Sequence, residues 1–496
     1  MTPFNLLDQP WIPVRTLGGT PKLLGIRDTL IRSHELDSIV DASPLVVTSL
    51  YRLLLAVLYR AYRGPTSIRQ GEDLLEHGRF DIDIIDAYLT PYAHRFELFG
   101  DEPFYQVGDL ELPKDTPISK LAVERASGNN KALFDHSLDE QPPALSYAEA
   151  ARWLVAHQAF ALCGGVSGGG LINFTDAPSP RGVIVLVMGN NLFETLTANL
   201  VPYKDKQIID GDLPAWEQPA LRFEELQEDQ KRSVTGPASL YTWQSRAVKL
   251  LPDNGTVSRM FYASGLQAIG DFRDPACAYQ VPKKQSDSRI PVKFSLDKSF
   301  WRDFGTLVPP KGDLRPQVIE YGYALEDYLA PQGLLQVTLF GQIARPGQPV
   351  VDAWRSEHCP LPTRLLEDAS CHTQLENALD LAEDVGKAMR AAGYTLAVNL
   401  TDTESAGKLL ESFPLLRSYW SQLEAHFADF LTDLARIDDP ERAFESWREV
   451  VRSTALDAFR VTSRAVGAKE RRALLVAESK LYIELNKLGL KKEVAA

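Results

Sequence analysis

Hydrophobic positions in the first 365 residues form short runs of mixed type, separated by polar, glycine-rich and proline-containing segments. The run PLVVTSLYRLLLAVLYRAY (44–62) predicts a strongly apolar helix. The segment SYAEAARWLVAHQAFAL (146–162) predicts a second helix, because Ser146 and Glu149 have the spacing of a capping box. Two further apolar runs predict buried strands, at 181–189 and 334–343. This part of the chain is therefore expected to mix helices with short strands and long loops.

The pattern changes near residue 365. From Cys371 onward glycine and proline are sparse, and apolar residues recur at helical spacing, in stripes that begin at Leu375, Leu416 and Phe444. Residues 468–488 predict a fourth helix. The expected fold class is α+β. It consists of a mixed α/β domain (1–365) followed by an antiparallel four-helix bundle (366–496).

Composition narrows the class of protein. The chain has 496 residues, of which 44% are hydrophobic and 24% charged, as in soluble proteins with more than one domain. No uninterrupted apolar run reaches about 18 residues and no signal-peptide pattern opens the chain, so neither a membrane span nor a leader is expected. Four cysteines do not make a disulfide framework, which favours a cytoplasmic setting.

Charge gives a mixed indication. The net charge of −13 argues against a free-standing nucleic-acid binder, which usually has a basic balance. Residues 441–496 nevertheless carry 12 basic and 8 acidic side chains. Net charge governs solubility and nonspecific affinity, and a local basic contact remains compatible with it.

A cluster of glycines follows the helix predicted at 146–162. Five of the seven residues from Gly164 to Gly170 are glycine, which indicates a sharp bend or a close approach of the backbone to something else. A dinucleotide-binding fingerprint needs a strand before its glycines and a helix after them, whereas the predicted order here is the reverse. A phosphate-binding P-loop needs Gly-Lys-Ser/Thr, and this cluster ends in Gly170-Leu171. A helix C-cap would use one or two of the glycines and leave the others unexplained.

Local motifs do not indicate catalysis. Cys163 follows His157 by six residues, a spacing that does not bring two side chains together on a helix, so a buried structural cysteine is the preferred interpretation. The adjacent pairs His358-Cys359 and Cys371-His372 lack the spacing of structural zinc ligands. No catalytic residue, metal site or cofactor is therefore expected.

Several segments match one protein family in order and spacing. They are FNLLDQPWIPV at the start, DEPFYQV, KLAVERASGNNKALFDHSLDE (120–140), GGGLINFTDAP (168–178), RGVIVLVMGNNLFETLTANLVP (181–202) and LFGQIARPGQPVVDAWRSEHCPLP (339–362). Through these segments the chain resembles, over nearly its whole length, the CasA family. These proteins are the large subunits of the type I-E CRISPR surveillance complex, Cascade.

The resemblance implies recognition of nucleic acid without catalysis. Family members read the protospacer-adjacent motif (PAM) of double-stranded DNA from the minor groove, begin strand separation and help to recruit a helicase-nuclease. Guide RNA reads the rest of the target by base pairing, as in other RNA-guided systems. The partners implied are target DNA, the guide RNA with the other Cascade subunits, and the helicase-nuclease, with no membrane.

The resemblance also implies site residues. A glycine loop matches Gly168, Gly169 and Gly170, and a lysine finger matches Lys283 or Lys284. A wedge hairpin places a glutamine beside the first target base pair; Gln348 is the best match and Gln342 the weaker one, with Arg345 as a nearby phosphate contact. The loop 120–140 matches a segment near the guide RNA and the PAM, with contacts expected from Asn129, Asn130, Lys131 and Phe134.

Some family members carry paired cysteines in the middle region, where this chain has only Cys277, so no zinc is expected. Two other functions remain as alternatives. One is a cysteine-dependent hydrolase that uses Cys163 and His157, and the other is a scaffold that contacts only proteins.

Overall fold

The computed structural model describes residues 3–121, 142–164, 174–178, 182–282, 288–296, 298–309, 314–345, 350–464 and 470–491. The fold is α+β, with mixed helices and strands followed by a C-terminal helical region, which confirms the predicted class. The chain divides into two compact units. The first comprises Met1–Lys298, Lys311–Pro331 and Leu335–His358, and the second Ser299–Pro310, Gln332–Leu334 and Cys359–Ala496.

The strands of the described residues are mostly short. They are β1 Ile12–Thr16, β2 Pro21–Leu24, β3 Leu36–Ile39, β4 Thr116–Pro117, β5 Leu145–Ser146, β6 Ile184–Met188, β7 Lys231–Ser233, β8 Arg246–Asp253, β9 Thr256–Ser264, β10 Gln267–Ile269, β11 Tyr279–Gln280, β12 Ile290–Pro291, β13 Leu334–Ala344 and β14 Val351–Pro362. The predicted strands at 181–189 and 334–343 correspond to β6 and β13.

The first unit also contains most of the shorter helices of the described residues. They are α1 Ile26–Ile31, α2 Pro44–Ala61, α3 Ile68–His77, α4 Ile82–Leu89, α5 Tyr147–Phe160, α6 Leu192–Ala198, α7 Lys206–Gly211, α8 Phe223–Glu228, α9 Pro237–Tyr241, α10 Gln317–Ala324 and α11 Glu326–Leu329. Helix α5 begins with the predicted capping box. The Ser146 hydroxyl accepts the Glu149 N–H at 3.3 Å, and the Glu149 carboxylate accepts the Ser146 N–H at 3.0 Å.

Two antiparallel sheets position the functional region. In one, β13 lies between β14 and β6, and Phe340 of β13 pairs with Ile184 of β6. In the other, β9 pairs along its length with β8, and its second edge pairs with β4 and then β5. Strand β6 has the burial pattern of a core strand, because four of its five residues are buried.

Helix α2 is the apolar helix predicted at 44–62. By length and composition alone it could cross a membrane, but 83% of it is buried inside the protein. Arg52 interrupts its apolar run and is itself buried, where it pairs with Asp274. These surroundings are those of a core helix, whose apolar faces are covered by other parts of the same chain.

The second unit is built on long helices. They are α12 Ala369–Leu400, α14 Leu415–Arg436, α15 Pro440–Arg464 and α16 Arg471–Lys487, with a short α13 Ala406–Ser412 between the first two. Helix α12 packs against α14, α15 and α16. The unit also takes in residues that precede the predicted boundary at 365, because Trp301 packs against Trp420, Phe427 and Trp447.

Candidate nucleic-acid interface

The start of β6 joins three parts of the chain that are far apart in sequence. On one side, Ile184 pairs with Phe340 of β13. On the other side, the Val185 N–H donates to the Ala276 carbonyl and the Val183 N–H to the Val292 carbonyl, both at 2.8 Å. The chain that follows the glycine-rich segment, the cluster from Gly164 to Gly170 with its flanking residues, is therefore held against two hairpins. These hairpins are formed by β11 with β12 and by β13 with β14.

The first hairpin is formed by β11 and β12. Tyr279 pairs with Pro291 and Gln280 with Ile290, in antiparallel register. Lys283 and Lys284 come between these two strands in the sequence and lie outside the described residues, so the lysine-finger assignment stays a prediction. The structure describes the two ends of this hairpin, where Ala276 and Val292 accept backbone hydrogen bonds from the start of β6.

The second hairpin is formed by β13 and β14. The Arg345 N–H donates to the Val350 carbonyl at 3.1 Å, which closes the ladder just before residues 346–349. Gln348 belongs to that interval and lies outside the described residues, so its role also stays a prediction. Arg345 is more than half exposed, and its guanidinium makes a two-atom contact with Asp352 at 2.8 and 3.0 Å. A phosphate at Arg345 would have to share this guanidinium with Asp352.

Gln342, the weaker match for the wedge, is only 2% exposed. Its side-chain amide donates to the Phe160 carbonyl at 2.9 Å, at the C-terminal end of α5. Gln342 thus ties β13 to the helix that precedes the glycines, and its burial removes the support for an inserting role.

The two ends of the glycine-rich segment are held together. The Gly164 N–H donates to the Phe174 carbonyl at 3.3 Å, and the Ala177 N–H to the Ala161 carbonyl at 2.8 Å. Gly164 has φ +125°, a conformation that L side chains rarely adopt, so a glycine is required where the chain leaves α5. Gly168, Gly169 and Gly170 lie between these ends and outside the described residues.

Arg246, at the start of β8, connects both ends of this segment. It is 1% exposed, and its Nη2 donates to the carbonyls of Leu162 at 2.8 Å and Thr175 at 2.9 Å. Its Nη1 donates to the Ser245 carbonyl, and its Nε to the Tyr262 hydroxyl at 3.0 Å. One buried guanidinium therefore fixes the separation of the chain before and after the glycines.

His157 continues this hydrogen-bonded chain. The Tyr262 hydroxyl donates to His157 Nε2 at 2.9 Å, and His157 Nδ1 donates to the Leu121 carbonyl at 3.1 Å. This tautomer follows from the partners, because a carbonyl can only accept. Leu121 is the last described residue before the 122–141 interval, which contains Asn129, Asn130, Lys131 and Phe134; these four lie outside the described residues. The start of that loop and both ends of the glycine-rich segment thus share one buried cluster.

The hydrolase alternative is not supported by this arrangement. Burial, together with the charges of Arg246 and Lys120, lowers the pKa of His157 to about 3. Both of its ring nitrogens are already engaged within the core. A general base works best with a pKa near the working pH, so this histidine is poorly suited to activate Cys163. Within the described ranges, no three His, Cys, Asp or Glu side chains are grouped as metal ligands.

A cavity of about 450 Å³ borders the same region. Its lining includes Asp176 and Pro178 from the return of the glycine-rich segment, and Tyr279, Pro291 and Lys293 from the β11–β12 hairpin. The glycine-rich segment and the hairpin therefore flank a common concave surface.

Sequence reasoning gave no role to Arg246, Tyr262 or Asp352. Arg246 opens the stretch RAVKLL, which locally resembles an exposed end of a strand, and nothing in its neighbours signals a buried arginine. Asp352 lies seven residues after Arg345, and its pairing depends on the register of the hairpin.

Comparison with known proteins shows the family. The family model of CRISPR-associated protein Cse1 matches residues 5–458. CRISPR-associated protein CasA/Cse1 from Thermus thermophilus is 37% identical, over 98% of each chain. The solved structure of Thermus thermophilus CasA (Cse1) has a TM-score of 0.87 and 35% identity, covering 98% of this chain and all of that one.

A chain in a solved CRISPR RNA-guided surveillance complex has a TM-score of 0.75 and 23% identity, covering 97% of this chain and all of that one. At this identity the likeness concerns the fold alone. The match to the family model and the identity to the Thermus thermophilus relative extend over nearly the whole sequence. The chain therefore belongs to the Cse1 (CasA) family of CRISPR-associated proteins.

Proposed function

We propose that this chain is the non-catalytic large subunit of a type I-E CRISPR surveillance complex and acts in the cytoplasm. It binds the PAM of double-stranded DNA from the minor groove, starts strand separation and helps to recruit the helicase-nuclease. Its partners are target DNA, the guide RNA with the other subunits, and the helicase-nuclease. It uses no cofactor.

The observation that carries this proposal is the convergence at the start of β6. The chain after the glycine-rich segment, the base of the β11–β12 hairpin and the base of the β13–β14 hairpin are joined there by backbone pairs. Three segments that the family resemblance links to PAM recognition thus start from one rigid core strand. Contacts on rigid elements hold their geometry better than contacts on independent loops.

Each segment has a chemistry suited to one part of the task. The minor groove is about 6 Å wide, so a backbone without Cβ atoms can enter where side chains would clash. A lysine can donate to the acceptors on the floor of the groove, the adenine N3 and thymine O2 atoms. A side chain inserted beside a base pair costs a few kcal/mol of unstacking, which the other contacts must offset.

The acidic balance of the chain is compatible with this function. With a net charge of −13, the subunit would bind DNA weakly by itself. Tethering to a guide-RNA complex raises the effective concentration of the subunit at the target, so few direct phosphate contacts are needed.

The test is binding of the reconstituted complex to a library of duplexes with randomised PAM, with and without this subunit. We expect PAM-dependent affinity only when the subunit is present. In a complex with Gly169→Val, that PAM dependence should be lost while the subunit stays folded and assembled. Equal binding of PAM duplexes by the Gly169→Val and wild-type complexes would contradict the minor-groove mechanism.

The scaffold alternative predicts a different outcome. A subunit that contacts only proteins would leave target affinity unchanged when Lys283 and Lys284 are both replaced by alanine. A hydrolase would show an activity that disappears with Cys163→Ala, and the low pKa of His157 argues against it.

A further inference from the structure

Two cationic side chains meet at the junction between the loop that begins after Leu121 and the glycine-rich segment. Lys120 Nζ lies 4.2 Å from the ring centroid of Tyr262 and 5.4 Å from that of Phe174. The Arg246 guanidinium lies 5.0 Å from the same Phe174 ring. Phe174 is thus shared by both cations, one from each side of the junction.

Neither cation has a carboxylate partner among the described residues. The acceptors of Arg246 are three backbone carbonyls and the Tyr262 hydroxyl, all of them neutral. Within the described ranges, the contacts of Lys120 are those with the two aromatic rings. A buried charge without a counter-charge is costly, and an arginine that is 1% exposed is normally paired. The acid of this junction, Asp176, accepts the Cys163 N–H at 2.6 Å.

The two cations also act on each other. Burial is the larger cause that lowers the pKa of Lys120, and the charge of Arg246 is the second. The charges of both cations also help burial to lower the pKa of His157. His157 is therefore neutral and adds no charge of its own. An anion that approaches this junction would meet two positive charges and would relieve their mutual repulsion.

The two cations differ in exposure. Lys120 keeps exposed surface although its ammonium is partly covered by the two aromatic rings, whereas Arg246 is 1% exposed. An external anion can thus contact the Lys120 ammonium directly. The positive charge of Arg246 would attract the same anion without touching it. The aromatic rings of Tyr262 and Phe174 hold the ammonium in place, which reduces the entropy lost on binding.

We propose that Lys120 binds a backbone phosphate of nucleic acid at this junction, with Arg246 as the positioning residue behind it. This inference rests on the proposed function, since it assumes that nucleic acid reaches the two segments joined here. The phosphate can belong to the guide RNA or to the target DNA. Either source has the same anionic oxygens, and the experiment below separates them.

The experiment compares Lys120→Gln, which removes the charge, with Lys120→Arg, which keeps it. The matched control is Lys22→Gln, the same change at an exposed lysine of β2 in the same unit. Each variant is assembled into the full complex. One arm measures retention of the subunit on the guide-RNA complex without target, and the other measures affinity for target duplex. Both arms are run from about 50 to about 200 mM salt.

We expect Lys120→Gln to lower affinity in one of the two arms. One lost phosphate contact reduces the salt slope by about 0.9 for duplex DNA or about 0.7 for a single strand. Between 50 and 200 mM salt, wild type should then lose about 3-fold more affinity than Lys120→Gln. Lys120→Arg should restore most of the affinity and the slope, which a purely structural role of the lysine would not require.

Loss in the retention arm identifies guide RNA as the source of the phosphate, and loss in the duplex arm identifies target DNA. A Lys120→Gln complex that matches Lys22→Gln in affinity and salt slope in both arms would overturn the inference. The proposed function is judged separately, by whether the wild-type subunit adds PAM-dependent affinity at all. Lys120→Gln should weaken binding equally for all PAM sequences, because a phosphate contact carries no sequence information.

Discussion

Replacing Arg246 with methionine should loosen both ends of the glycine-rich segment while the rest of the fold remains. The substitution removes the bonds to the Leu162 and Thr175 carbonyls, at 2.8 and 2.9 Å. Hydrogen bonds from a charged group contribute about 1.5–3 kcal/mol each. Part of this gain is offset by the cost of burying an unpaired guanidinium. A net loss of about 2 kcal/mol in the local opening free energy follows, which corresponds to an opening equilibrium constant about 30-fold larger.

Hydrogen exchange at two amides measures this directly. The Gly164 N–H and the Ala177 N–H bridge the two ends of the segment, and their exchange reports its opening. Arg259→Met is the control, because Arg259 lies on β9 and pairs with Asp115 at 2.8 Å, away from these carbonyls. Unchanged exchange at Gly164 and Ala177 in Arg246→Met, with circular dichroism intact, would refute the role given to Arg246.

Three further predictions follow from the same contacts. The pKa of His157 is lowered from about 6.5 to about 3, so the unfolded chain binds one more proton between these pH values and the free energy of unfolding falls as the pH drops through this window. In His157→Gln the free energy of unfolding, measured by urea titration, should lose this dependence, which amounts to up to about 1.4 kcal/mol per pH unit. Tyr262→Phe removes the hydroxyl between Arg246 and His157, so the free energy of unfolding measured in urea should fall by about 1–3 kcal/mol. An unchanged free energy of unfolding would show that this hydroxyl does not stabilise the fold. Asp352→Asn releases Arg345 from its ion pair, so the assembled complex should bind target duplex more tightly and with a steeper salt slope; weaker binding would show that Asp352 orients Arg345 rather than competing for it.

Local signals in the sequence were sufficient for most elements. The apolar run at 44–62 became α2, the capping box set the start of α5, and the apolar stripe from Leu375 lies on the buried face of α12. Each of these signals depends on residues within a few positions of one another, which is the range over which helix and strand periodicity acts. The division into units needed more, because Trp301 packs with the later helices through contacts that cross more than one hundred positions.

The sequence named candidate segments for the site but gave no indication of the buried contacts that hold them. Resemblance between sequences pointed to the glycines, the lysine pair and the wedge glutamine, and these assignments stay predictions. Arg345 was expected as a phosphate contact, and in the fold it is paired with Asp352. Gln342 appeared as an alternative wedge, whereas in the fold it is a buried link to α5.

The sequence by itself determined the α+β class, the positions of the main helices and strands, and the family. Only the tertiary structure showed that three distant segments start from β6, and that Arg246, Tyr262 and His157 join the glycine-rich segment to the preceding loop. The hydrogen bonds that link Arg246, Tyr262 and His157 to one another and to Leu121, Leu162 and Thr175 connect residues 16 to 105 positions apart. Whether an arginine at such a position is buried or exposed depends on which strands pack over it, and that outcome has no signature in its immediate neighbours.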